Sequence, residues 1–181
     1  AQAVVSKIIS YESDQSVEVW KRVVTDMADK AGTAGNFPAM SYFLIEDELP
    51  ESYHEVNRSI YYKITHPDLA STRAAMINSF NEGSLVFNYI GHANNIQYGN
   101  DMFFRTNDLP LLNNSDRLSI NVIMSCLEGY FIHPRRPGTV NYVDSLGEQF
   151  VRYANGGAVA SWSSAGNAVA TGHDYLDRGF F

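Results

Sequence analysis

The chain carries a single cysteine, Cys126, and a Gly91-His92 pair, each directly after a short apolar run. A thiol becomes a good nucleophile near neutral pH when a base takes its proton, and an imidazole can do so. Such a pair can attack a peptide carbonyl, form an acyl-enzyme and protonate the leaving amine. Singly, each residue favours a blander reading. A lone cysteine is usually an inert core residue, and a Gly-His at a strand end is often only a turn. At two successive strand ends the pair favours a cysteine–histidine dyad.

The first apolar run is Ser84–Ile90 and the second is Leu118–Ser125. Both are short, β-rich and bounded by turn formers, the pattern of buried parallel strands. Open α/β sheets place ligands beyond the carboxyl ends of their strands. On neighbouring strands, His92 and Cys126 would meet at that edge.

The rest of the chain supplies the frame. The apolar spacing predicts an amphipathic helix over 1–11, and Val19–Asp26 reads as a strand with Asp26 at its carboxyl end. Residues 27–36 read as a loop. Pro38 opens a helix running to about Glu48, and Pro50 closes it. Ile60–Ile64 is a short strand. Asp68 leads into a helix over 69–81, which Gly83 ends. Residues 93–106 read as a long loop, 109–112 as a short helix and 113–116 as a turn. Tyr130–Tyr142 reads as a surface excursion, followed by a helix over 145–154, a buried strand over 156–162 and a last helix from His173. Strands alternating with helices predict a parallel sheet with right-handed crossovers.

Composition narrows the partners. The 181 residues suffice for one domain with a sizeable core. A hydrophobic fraction of 45% and a charged fraction of 18% are those of a soluble globular protein. A net charge of −7 with no basic stripe argues against nucleic acid. No apolar run is long enough to span a bilayer. One cysteine excludes an internal disulfide and leaves the redox compartment open. The start at Ala1 and the stop at Phe181 read as cuts from a longer polypeptide.

The segments 88–92 (Asn-Tyr-Ile-Gly-His), 124–131 (Met-Ser-Cys-Leu-Glu-Gly-Tyr-Phe), 145–148 (Ser-Leu-Gly-Glu) and 156–160 (Gly-Gly-Ala-Val-Ala) resemble the gingipain family of bacterial cysteine peptidases. Tyr11-Glu12, Trp20, Val23–Asp26 and Ala34–Phe37 fall in the same order, so the resemblance spans nearly the whole chain. It implies a caspase-like, three-layer α/β fold with a mostly parallel sheet flanked by helices. It further implies one peptidase domain over 1–181 that lacks the family's amino-terminal portion.

By this resemblance the protein is a cysteine endopeptidase acting on protein or peptide substrates at the surface of, or outside, a bacterium. Cys126 is the nucleophile and His92 its acid/base partner, with backbone amides at Ala93 and Cys126 as oxyanion donors. The family usually has glycine after the histidine; Ala93 keeps the N–H but restricts φ. Asp26 is expected to orient His92, with Asp29 as its rival and a bare dyad as the third option. Trp162 and Ser163 are expected to wall the specificity pocket, against the alternative of a core tryptophan. Asn36 stands where arginine-specific relatives carry an acid, which predicts a weaker preference for arginine.

No organic cofactor is implied. Gingipains carry calcium, but no ligand cluster here identifies a site, and Cys126 with His92 or His133 has no recognised zinc spacing. Glu128 reads as a surface group or a support for its neighbours, and His173 as a helix cap. The competing expectation is a non-catalytic scaffold or binding fragment of a larger surface protein.

Overall fold

The computed structural model describes residues 2–132 and 144–181. Helix α1 (Gln2–Ser13) and a 3-10 turn (Val19–Arg22) lead into β1 (Val24–Ala28). Next come α2 (Phe37–Glu48), α3 (Glu51–His54), β2 (Arg58–Tyr61), α4 (Leu69–Glu82) and β3 (Val86–Ile90). Short strands β4 (Ala93–Asn94), β5 (Gln97–Tyr98) and β6 (Phe104–Arg105) precede a 3-10 helix (Thr106–Leu111). The chain closes with β7 (Ser119–Met124), α5 (Leu146–Arg152), β8 (Ala158–Ser163) and α6 (Ala170–Arg178).

Five strands form one parallel sheet in the order β2-β1-β3-β7-β8. Successive side chains on a strand point to opposite faces, and the core divides accordingly. Met27, Phe87, Tyr89 and Ile123 pack with Met76 and Phe80 of α4 and Phe150 of α5. Val24, Val86, Ile90 and Val122 pack on the other face with Phe37 and Ile45 of α2. Helices therefore cover both faces, as the three-layer expectation required. Every residue of β1 and β3 is buried, which explains why neither reads as an alternating strand.

Two buried polar residues on those central strands find side-chain partners, although Asn88 Oδ1 is left without one. The Asp26 carboxylate accepts from Ser41 Oγ at 3.1 Å, Asn57 Nδ2 at 2.7 Å and Ser59 Oγ at 2.9 Å. Asn88 Nδ2 donates to Asp177 Oδ1 at 2.5 Å. Asp26 thus lies inside β1 rather than at its carboxyl end. The expected strand over 19–26 slides toward the carboxyl terminus because three donors make an internal acid tolerable.

Other expectations also shift. The long loop over 93–106 folds into a three-stranded antiparallel sheet, β4-β5-β6. Strand β8 is one of the two edge strands of the described sheet, and Trp162 on it is 42% exposed rather than buried. Helix α6 starts before His173, which sits inside the helix and is buried, not capping. Helix α4 keeps its Asp68 cap, and Gly83 ends it at φ +87°, where a Cβ would lie 2.8 Å from the Arg117 Cβ. Most of the 130–142 excursion, with His133, lies outside the described residues.

Helix α1 docks by a cation rather than an apolar stripe. Lys7 is buried, while Val5 and Ile9 are exposed. The Lys7 Nζ lies 3.1 Å from Phe150 O, 3.1 Å from Val151 O, 3.0 Å from Tyr153 O and 2.8 Å from Gly156 O. These carbonyls end α5 and precede β8, where unsatisfied acceptors and the helix dipole favour a cation. Burial draws the Lys7 ammonium down to about 8. Among the described residues, no helix is long and apolar enough to cross a membrane.

Candidate active site

Ile90 and Met124 end β3 and β7 and are register partners. The Gly91 N–H donates to Met124 O at 3.3 Å, carrying the pairing one step past the strands. Adjacent strands lie about 4.8 Å apart. His92 and Cys126 therefore each stand two residues beyond the same rung, at the carboxyl edge of neighbouring strands.

The third strand end contributes Asp29, which directly follows β1 and is buried. Its N–H donates to Ile90 O at 3.1 Å, so it stands beside the turn into His92. A Cβ on Gly91 would lie 2.6 Å from the Asp29 Cβ and 2.6 Å from the Tyr89 hydroxyl oxygen, so only glycine fits this turn. Asp29 Oδ1 accepts from the Lys30 N–H at 2.7 Å. Burial raises the Asp29 carboxyl above its ordinary range; the backbone N–H groups of Lys30 and His92 and the imidazole charge work against that. Of the two acids, Asp29 adjoins His92. Asp26 pairs in register with Asn88, upstream of the turn, and spends its oxygens on Ser41, Asn57 and Ser59.

The histidine loop is held from several sides. The His92 ring meets the edge of Phe37, centroids 5.4 Å apart. Its carbonyl accepts from the Tyr89 hydroxyl at 2.7 Å and the Gly99 N–H at 2.7 Å. Ala93 follows in β4, paired with Tyr98. Asn36 sits one residue before Phe37 and caps α2, its side chain accepting from the Ala39 N–H at 3.4 Å.

Cys126 is half-buried, and its Sγ lies 3.7 Å from Ala168 O. The chain turns sharply after it: Leu127 has φ +61°, a conformation few residues other than glycine adopt. The Leu127 N–H donates to Gly166 O at 3.1 Å and the Gly129 N–H to Ser164 O at 3.0 Å. The segment after β8 thereby borders the cysteine. A pocket between β7, β8 and α6 is lined by Ile123, Met124, Trp162, Ser163, Ser164, His173 and Leu176; Trp162 and Ser163 border it, and Asn36 and Cys126 do not. Trp162 stacks on Phe180 with centroids 5.2 Å apart.

Of the two readings of Glu128, the structure excludes the surface one and fits the supporting one. Glu128 is fully buried, and its Oε1 accepts from the Tyr98 hydroxyl at 2.8 Å. Burial pushes its carboxyl up to about 7, against hydroxyls of Ser163, Tyr98 and Ser161. An acid following a polar turn reads as surface, and no periodicity marks it; only Gly129 and Gly147 hint at crowding. A Cβ on Gly147 would lie 2.6 Å from Glu128 Oε2. Among the described residues, no group of three or more His, Cys, Asp or Glu is arranged to hold a metal ion.

The family model described as Peptidase family C25 matches residues 1–181. The chain belongs to this family, the gingipains. No curated protein matches it. Among solved structures it is similar to the Arg-specific cysteine proteinase gingipain R (RgpB), at 19% identity and a TM-score of 0.76, over 97% of this chain and 40% of that one. It is likewise similar to the complex of Porphyromonas gingivalis RgpB pro- and mature domains, at 19% identity and a TM-score of 0.73, over 97% of this chain and 41% of that one. A structure titled "Structure of Protease" matches at 18% identity and a TM-score of 0.71, over 97% of this chain and 36% of that one. The chain thus spans about two fifths of the length of these relatives. Family and fold together support a cysteine peptidase, and the gingipain caspase-like architecture is shared.

Proposed function

We propose that the protein is a cysteine endopeptidase in which Cys126 is the nucleophile, His92 the acid/base and Asp29 the residue that orients His92. The observation carrying this reading is that His92 and Cys126 stand equally far beyond the Ile90–Met124 rung. His92 takes the thiol proton, and the thiolate attacks the substrate carbonyl carbon. Backbone N–H groups at Cys126 and Ala93 face the developing oxyanion, where preorganised donors act most strongly. The C–N bond breaks as His92 protonates the leaving amine, which leaves a thioester on Cys126. Water, deprotonated by His92, then attacks the thioester; the product acid departs and the thiol is restored.

The reading extends to substrate class. The pocket between β7, β8 and α6, which starts two residues before Cys126 at Met124, presents tryptophan, serine, isoleucine, methionine, leucine and histidine side chains and no carboxylate. Asn36, the other expected contact, is uncharged and engaged as a helix cap. An arginine side chain is held best by a bidentate carboxylate. An uncharged residue before the scissile bond suits this pocket better. By family, the enzyme acts on proteins or peptides at, or outside, the bacterial surface.

Labelling full-length protein with peptidyl acyloxymethyl ketones, then mapping the adduct, tests this assignment. An adduct on Cys126 that is lost in His92→Ala is the expected result. A folded protein that takes up no label and cleaves no peptide in a diverse library would instead fit a non-catalytic scaffold, a reading favoured by Ala93 after the histidine.

A further inference from the structure

The Tyr98–Glu128 hydrogen bond joins the two loops of the proposed dyad. Tyr98 lies in β5 as the register partner of Ala93, the residue after His92. Its ring stacks on Tyr89, centroids 5.0 Å apart, and the Tyr89 hydroxyl holds the His92 carbonyl. Glu128 lies on the turn that follows Cys126, and its own carbonyl accepts from the Gly147 N–H at 3.2 Å. The adjoining Leu146 N–H donates to Asn95 O at 2.7 Å, returning to the histidine loop. Tyr98, Tyr89 and Glu128 are all fully buried.

We infer that Tyr98 and Glu128 are positioning residues, a buried tie that fixes the spacing between the His92 loop and the Cys126 loop. This inference rests on the peptidase reading above. A bond buried away from water has no competing solvent partner, so its loss leaves a polar group unsatisfied and lets the loops drift. Small misplacements of reacting groups cost large factors in rate. The groups facing the Glu128 carboxyl are the Tyr98 hydroxyl from β5 and the Ser161 and Ser163 hydroxyls from β8; no lysine, arginine, histidine or second carboxylate shifts it. Its protonation therefore responds to pH through burial, not through a neighbouring charge.

The test uses full-length protein and a fluorogenic peptide that the wild type cleaves, with Cys126→Ala as control. Tyr98→Phe removes the donor and should lower kcat at least tenfold, with KM within about threefold, in a protein of native circular dichroism. Glu128→Gln keeps an acceptor for Tyr98 and should keep kcat within about threefold, whereas Glu128→Leu removes the acceptor and should lower kcat at least tenfold. Tyr98→Phe or Glu128→Leu with wild-type kcat would overturn the inference. Should Tyr98→Phe not fold, the contrast between Glu128→Gln and Glu128→Leu decides alone. Undiminished cleavage by Cys126→Ala, or a wild type that cleaves no peptide, would overturn the peptidase reading and this inference with it. Failure of the inference alone leaves Cys126→Ala inactive while Tyr98→Phe is unimpaired.

Discussion

Asp29 packs against Gly91 so closely that a Cβ added to Gly91 would lie 2.6 Å from the Asp29 Cβ. The contact sets how the chain leaves β3 and enters His92. Gly91→Ala must push Asp29 or the turn aside. Overpacking of this kind costs about 1–3 kcal/mol, and the displacement falls on the histidine. Urea denaturation should show the stability loss, and turnover should fall at least tenfold.

The two aspartates separate cleanly by experiment. Asp29→Ala should lower kcat by one to two orders of magnitude while the protein stays folded, because positioning and oxyanion stabilisation by other groups remain. Asp26→Ala should instead leave Ser41, Asn57 and Ser59 without their shared acceptor, at about 1–3 kcal/mol for each buried group left unsatisfied. Its turnover per folded molecule should match the wild type. Equal activity in Asp29→Ala and wild type would reduce the site to a dyad.

Buried acids set the pH dependence of stability. Asp177, which accepts from Asn88, is raised by burial from 3.8 to about 8, and Glu128 from 4.5 to about 7. In both, the folded state holds its proton after the unfolded chain has lost it. Their contribution is fully present below the unfolded values and is lost as pH rises through the folded ones. Thermal stability should therefore decline from about pH 4 to pH 8, and Asp177→Asn should flatten that decline. A melting temperature that rises across this range would show that other groups dominate.

Specificity gives a fourth prediction. Profiling on a peptide library should show no strong preference for cleavage after arginine, because the pocket lined by Trp162 and Ser163 offers no carboxylate. Trp162→Ala should change the ranking of the residue before the cleaved bond and leave cleavage of the best substrate measurable. Strict arginine specificity would mean that an acid outside this pocket reads the side chain.

The sequence made the parallel sheet, the two strand ends and the helix bounds of α2 and α4 legible, because apolar runs and caps are local signals. Gly91-His92 and Cys126 were legible for the same reason. Whether the two strands are neighbours is a pairing between distant segments, which no local pattern encodes. Asp26 misled because an acid inside a strand normally marks its end, and its three donors come from α2, β2 and the segment before β2. Glu128 could be read only as either a surface group or a support, because its burial depends on Tyr98, Ser161 and Ser163, which come from two other strands. The β4-β5-β6 sheet was hidden by two-residue strands too short to show alternation.

Lys7 carries a consequence of a different kind. With its nitrogen enclosed by four carbonyl oxygens, it is shielded from amine-reactive reagents while exposed lysines are not. It becomes a reporter: acylation of Lys7, read by mass spectrometry, counts the openings of α1 away from the body. A cut that releases α1, or a peptide that displaces it, would announce itself as one newly labelled lysine.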